Sequence, residues 1–318
     1  MSKITKLKQE FLQYQRDEKG RTKKTIKNYD LYLERFIDWF NQSRPSKITQ
    51  ETASQYKQWL SNYRDEYGEK IKPNTQNYHL IALRSFLRYL KELEINTISP
   101  SKIELNDIPD KEMVFLDKKD IKHLLKSPKL KKEDSKTKQK RKLRDKAILE
   151  LLISNGLKVS QLQKIKKENI SGKTFHPPNH QANKLPLSAN TKDKIEDYLS
   201  SRSDSNPYLF ISHDNRSESK NSPEFKGISP RSVQRLVKKH AKSIGLSMQA
   251  TPNVLRNSCI LHLLSIIDNL TSAQRYLNHK TITTTRHYKH LAGKKIDQDQ
   301  SIFNDMYKDI VDKIAKKP

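Results

Sequence analysis

The chain has 318 residues, of which only 33% are apolar, and carries 63 Lys and Arg against 36 Asp and Glu, a net charge of +27 at pH 7. That length points to two domains, no run approaches the ~18 apolar residues of a membrane span, the start Met1–Lys8 lacks the apolar stretch of a secretory signal, and the single Cys259 can build neither an internal disulfide nor a cysteine zinc site, so a cytoplasmic location is expected. The positive surplus asks for a polyanionic partner, nucleic acid first, although a lysine-rich composition can raise charge with no function attached.

In chain order, the first hundred residues read as four helices. Lys6 to Arg16 is weakly amphipathic. Thr22 to Asn41 is stronger, with Ile26, Tyr29, Leu33, Phe36, Ile37 and Phe40 on one face, Gly20 before it and Pro45 after it. Thr49 reads as the N-cap of a third helix carrying Ala53, Tyr56, Trp59 and Leu60. Pro73-Asn74-Thr75 opens a fourth, with Leu80, Leu83, Phe86, Leu87 and Leu90 inward. Lys23, Lys24, Lys27, Arg84 and Arg88 lie between these apolar positions. They form either a solvated face or a surface that tracks phosphates.

A Pro, Ser, Asn and Asp cluster then breaks the pattern. The expected organisation is an N-terminal helical domain over 1–98, a linker over 99–112 and a second domain over 113–318. Helical periodicity resumes at Asp117. Residues 126–146 hold 11 basic and 3 acidic residues and predict a mobile loop, followed by an apolar helix over Leu143–Leu152. Gly156 ends that helix and Ser160 can start the next. A small hairpin is expected between Gly172 and Leu187, a helix over Thr191–Leu199, and a short extended piece over Tyr208–Ile211. Ser229 to Ile244 is a basic amphipathic helix, on which Arg231, Arg235, Lys238 and Lys239 form a stripe suited to DNA or simply to water.

The informative stretch is 251–290. Asn253-Val254-Leu255-Arg256 sits in a helix start behind Pro252. Leu277-Asn278-His279 follows 23 residues after Arg256, and Thr284-Thr285-Arg286-His287-Tyr288 places Tyr288 nine residues after His279. Upstream lies Gly156-Leu157-Lys158-Val159-Ser160-Gln161-Leu162. Together these resemble, in order and spacing, the His-x-x-Arg, Leu-Gly-His, Thr-Thr-x-x-Tyr and Gly-Leu-Arg-x-Ser-Glu-Leu boxes of the tyrosine recombinase (phage integrase) family, most closely its Xer-like members.

The resemblance implies a mostly α fold with a small β-hairpin or sheet in the C-terminal domain. It implies a SAM-like core-binding bundle and a catalytic domain forming a two-domain, C-shaped clamp on DNA. It implies a site-specific recombinase that cuts DNA through a 3′-phosphotyrosyl intermediate; the covalent bond stores the phosphodiester energy, so no ATP is needed, and no cofactor or metal is expected. By carry-over Tyr288 is the nucleophile, Arg256 and His279 contact the scissile phosphate, Lys158 and Asn253 take the remaining arginine and histidine positions, and a hairpin lysine, Lys184 or else Lys173, is the general acid. The partners implied are double-stranded DNA and other copies of the chain, dimer to tetramer, through a C-terminal helix bearing Ile302, Phe303, Met306, Ile310 and Ile314 beyond a polar spacer over Gly293–Ser301.

Alone, Tyr288 would be one structural tyrosine of 13; its place behind Thr284-Thr285 favours the chemical role. Several positions depart from the family pattern. Lys158 keeps charge but loses the guanidinium fork, Asn253 can donate a hydrogen bond but cannot carry a proton, Asn257 stands where a second histidine is common, and Gln161 replaces the usual glutamate. Two rivals therefore stay open at this point: a catalytically degenerate DNA-binding protein with a regulatory or architectural role, and an enzyme that nicks and reseals without pairing two duplexes.

Overall fold

The computed structural model of the chain describes residues 2–109, 112–180, 182, 184–213, 226–246 and 250–296. The chain divides into two compact units, Met1–Lys111 and Glu112–Pro318.

The first unit is a helical bundle. It consists of α1 (Lys3–Asp17), α2 (Lys23–Phe40), α3 (Gln50–Asn62) and α4 (Pro73–Glu92). Ser2, Thr22 and Thr49 each accept from the backbone N–H three residues on, so the first three starts are closed by a hydroxyl at the N-cap. The expected inward faces are inward: Phe11, Leu33, Phe36, Tyr56, Leu83, Phe86 and Leu90 are almost wholly shielded from water. Each such side chain contributes about 1.5–3 kcal/mol by burial. Ring geometry specifies the packing further, with Phe36 edge-on to Tyr56 at 4.9 Å between centroids. Residues after α4 fold back onto this bundle. Arg84 Nε donates to the Ile103 carbonyl at 2.7 Å, and Asn77 and Asn106 exchange bonds of 2.7 and 2.9 Å.

The second unit is also mainly helical. In order it holds α5 (Lys118–Lys126), α6 (Lys136–Asn155), α7 (Val159–Leu162), strands β1 (Ile170–Ser171), β2 (Thr174–Phe175) and β3 (Leu185–Pro186), then α8 (Ala189–Ser200), α9 (Pro230–Lys242), α10 (Pro252–Ile266), α11 (Leu270–Leu277) and α12 (Ile282–Lys295). The strands form one antiparallel sheet in the order β1-β2-β3, with Ile170 opposite Phe175 and Phe175 opposite Leu185. Helix α10 is apolar on nearly every side and packs against α6, α9 and α12. An all-round apolar helix belongs in the middle of a domain, not on its surface.

Three expectations need correction. The basic stretch is no loop beyond residue 135: it is the first half of α6, capped by Ser135. Lys and Arg are good helix formers, and their charges find partners here. Asp134 lies 2.8 Å from Lys138 and also pairs with Lys142, while Arg141 and Arg144 donate to the His213 and Ile211 carbonyls at 2.6 and 3.0 Å. Helix α7 starts from Lys158, not Ser160, because the Gln161 Oε1 atom accepts from the Lys158 N–H at 3.1 Å. The short extended piece expected over Tyr208–Ile211 is there: Tyr208 bridges Lys166, and the Leu209 N–H donates to the Ile165 carbonyl at 2.8 Å. The expected spacer begins late, since α12 runs through Gly293 to Lys295. The C-terminal helix expected over 302–314 lies outside the described residues.

Candidate active site

Chain reversals at two left-handed residues flank the candidate site. Gly156 ends α6 with φ 57°, and a Cβ there would stand 2.9 Å from Cys259 Sγ, so glycine is required by both conformation and space. Asn278 ends α11 with φ 53° and donates to the Asn179 carbonyl at 3.2 Å. A left-handed cap takes Gly or Asn, which explains why Asn278 can stand where the resembling motif has glycine.

Arg256, in the first turns of α10, spans these two reversals. Its guanidinium donates to the Gly156 carbonyl and to the Leu277 carbonyl, the latter at 2.6 Å. Fixed at both ends, it is pre-organised before any ligand arrives. His279 follows Asn278 and is buried, with its Nδ1 paired to Thr285 Oγ1 at 2.9 Å. Thr285 lies one turn before Tyr288 on α12, so one helix face carries both the residue that orients the imidazole and the phenol. The His279 and Tyr288 rings stack at 5.6 Å and 25°. The Tyr288 hydroxyl donates to Asn257 Oδ1 at 2.9 Å.

Electrostatics identify the kind of ligand. Burial pushes His279 down to about 4, and Arg256 and Lys158 push in the same direction. Lys158 is itself lowered, first by burial and then by Arg256 and Lys280. Burial likewise lowers Arg256, and raises the Tyr288 phenol against the pull of the Arg256 charge. A buried guanidinium, with a lysine lowered by its cationic neighbours and a neutral imidazole beside it, forms a site stabilised by an incoming anion.

Of the sequence candidates, Arg256, His279 and Tyr288 thus meet, and Lys158 acts on the same groups. Asn253 is exposed one turn ahead of Arg256 and does not cap the helix, since Thr251 does. Lys184 is exposed immediately before β3, and Lys173 is exposed in the β1–β2 turn. Of the basic side chains proposed for DNA, Lys23, Lys24, Lys27, Arg88, Arg231, Arg235, Lys238 and Lys239 are exposed, whereas Arg84 is half-buried on the Ile103 carbonyl. Two residues were missed. His180, between β2 and β3, is lowered to about 4 by burial, then by Arg256 and Lys158, and its Nδ1 accepts from the Ala182 N–H at 3.0 Å. Asn257 touches the tyrosine, yet in the sequence it shows only as a departure from a motif. Neither has a spacing signal of its own; each reaches the pocket through the packing of distant segments.

A buried polar knot supports this arrangement. Asn155 Nδ2 donates to the Pro186 carbonyl and Tyr276 hydroxyl, both at 2.9 Å, and Ser154, Asn155 and Thr191 continue the chain of bonds. It ties the end of α6 to β3, α8 and α11, and Arg256 bonds the carbonyls that follow α6 and end α11.

Known proteins align with both units. The profile described as the phage integrase family matches residues 114–295, and that of the phage integrase N-terminal SAM-like domain matches residues 9–93. Tyrosine recombinase XerC of Pelobacter propionicus is 27% identical over 275 residues, spanning 84% of this chain and 85% of its own. Tyrosine recombinase XerA of Pyrococcus horikoshii is 29% identical over 282 residues, spanning 87% and 86%. A lambda integrase dimer bound to a COC′ core site shares the fold at a TM-score of 0.65 and 16% identity, over 94% of this chain and 99% of that one.

Proposed function

The chain belongs to the phage integrase family, and from that premise we propose that it is a site-specific DNA recombinase whose nucleophile is Tyr288. The reading is carried by one observation: the Tyr288 ring lies against His279 while the Arg256 charge acts on its phenol. The three residues come from separate helices or turns, and a backbone phosphate is the ligand that suits a phenol, a guanidinium and an imidazole together.

In the proposed reaction the Tyr288 oxygen bonds to phosphorus as its proton leaves to solvent, and the bond from phosphorus to the 5′ oxygen breaks. Negative charge gathers on the non-bridging oxygens. Arg256 stabilises it as a donor already fixed in place, so little reorganisation is needed at the moment of reaction. His279, oriented by Thr285, contributes a hydrogen bond. Lys158 contributes charge, and Asn253 a neutral donor, at positions where the family pattern has arginine and histidine. Lys184 protonates the departing 5′ oxygen. The 3′-phosphotyrosyl bond retains the energy needed for rejoining. Exposed Lys23, Lys24, Lys27, Arg88, Arg231, Arg235, Lys238 and Lys239 would hold the duplex backbone. Paired copies, joined through the C-terminal segment, would exchange strands.

Covalent capture tests this. A library of randomised duplexes, nicked so that the cut product cannot rejoin, is offered to the native chain and to Tyr288→Phe. A protein–DNA adduct with the native chain and none with the variant is expected. An undiminished adduct with Tyr288→Phe places the nucleophile elsewhere, and no adduct with the native chain removes the strand-cutting reading.

A further inference from the structure

One contact of the tyrosine has no part in that chemistry. Asn257 accepts from the Tyr288 hydroxyl at 2.9 Å, and its Nδ2 donates to the Val114 carbonyl at 3.3 Å. A carboxamide has one accepting end and one donating end. With the donating end engaged by Val114, the accepting end must face the phenol. The single phenolic hydrogen is then committed to Asn257, and the oxygen lone pairs stay available for another partner.

Val114 is not a loose anchor. It lies in the segment 113–116, which is pinned along α10. The Leu116 N–H donates to Ser258 Oγ at 2.7 Å, and His262 Nε2 donates to the Leu116 carbonyl at 3.3 Å. Asn257, Ser258 and His262 all belong to α10, so this short segment is bonded to the helix that also supplies Arg256. An amide cannot take up the phenolic proton, so its contribution is geometric. We infer that Asn257 is a positioning residue for Tyr288, and that the segment 113–116, by fixing the Asn257 amide, sets the aim of the nucleophile. The inference rests on reading Tyr288 as the nucleophile, but the contact itself can be measured without DNA.

The test uses the full chain carrying 3-fluorotyrosine at position 288, in native, Asn257→Ala and Asn257→Asp forms, each titrated by fluorine NMR. A neutral acceptor holds the phenol in its protonated form. Removing it in Asn257→Ala should move the midpoint down by roughly half to one pH unit. A carboxylate in Asn257→Asp should move it up. A residue that serves only packing would not produce opposite shifts. In parallel, adduct formation is followed on the nicked duplex recovered by capture. Asn257→Ala should form adduct on the order of 10- to 100-fold more slowly with DNA binding unchanged, although its pH–rate profile moves to lower pH. Asn257→His, which keeps an accepting nitrogen, should recover part of the rate. Equal midpoints in the native chain and Asn257→Ala, or equal adduct rates, overturn the inference. If the native chain forms no adduct, the recombinase reading fails while the fluorine titration still decides the Asn257 contact.

Discussion

The two units are stabilised in different ways. The N-terminal bundle is closed by apolar and aromatic side chains, and its few buried polar groups include Lys8, paired with Asp30 at 2.9 Å, and His79, 3.2 Å from Arg35. The C-terminal unit buries more polar groups, in the site and elsewhere in its core. They include Asn155 between β3 and α11, Asp145 against His240 at 3.0 Å, and His279 against Thr285. The first unit needs only a hydrophobic pattern, and tolerates approximate geometry. The second pairs most of its buried donors and acceptors with specific partners, which fixes positions closely enough for chemistry.

The sharpest way to test this contrast is at the pocket. Arg256→Ala should lower adduct formation by roughly 100- to 1000-fold, as expected for the loss of one fixed transition-state donor. Because Arg256 also bonds the Gly156 and Leu277 carbonyls, Arg256→Lys should recover little. Substantial activity in Arg256→Lys would show that charge alone matters there and that the fixed fork does not.

Next in size is a pair of core substitutions read by urea unfolding. Phe86→Ala in the bundle should cost about 3–5 kcal/mol through the cavity it leaves. Asn155→Ala should cost less, about 1–3 kcal/mol, through the stranded Tyr276 hydroxyl and Pro186 carbonyl. Its effect on adduct formation should nevertheless be the larger of the two. Similar losses of activity in both variants would erase the distinction between scaffold and site.

Acid should separate the units. Burial lowers His180, His213, His262 and His279 to about 4 in the C-terminal unit, and His79 to about 4 in the bundle. Unfolded histidine takes a proton near 6.5. Between those values the unfolded chain binds more protons than the folded one, so stability is full above about 6.5 and falls progressively as pH drops towards 4. With four such residues against one, the C-terminal unit should weaken more. Both tryptophans, Trp39 and Trp59, lie in the bundle, so their fluorescence reports that unit while circular dichroism reports both. At pH 5 the dichroism transition should precede the fluorescence transition; coincident transitions at every pH would count against the idea.

The smallest effects are expected on the surface. Arg235→Ala and Lys238→Ala should each reduce the slope of log affinity against log salt by about one. An unchanged slope would take α9 off the phosphate-tracking surface.

Much of the bundle could be read without coordinates because three- and four-residue apolar spacing, a threonine before the third helix and a proline opening the fourth are local signals. The order of the Arg256, His279 and Tyr288 boxes was equally legible, since spacing survives even where single residues change. The basic stretch misled because its charges look solvated until Asp134 and the His213 and Ile211 carbonyls are brought to them. His180 was silent for a related reason, and Asn257 showed its place in a motif but not its contact with Tyr288.

The linear order of residues by itself determined the helices of the bundle, the division into a bundle and a site-bearing unit, and the order of the boxes that carry the candidate side chains. Only tertiary structure decided which of them touch: that Arg256 is clamped between Gly156 and Leu277, and that Tyr288 leans on His279 while bonding an amide held by Val114. The reason is physical. Periodicity records which face of a helix avoids water, whereas a hydrogen bond between residues 31 or 143 positions apart exists only once the chain has closed the distance.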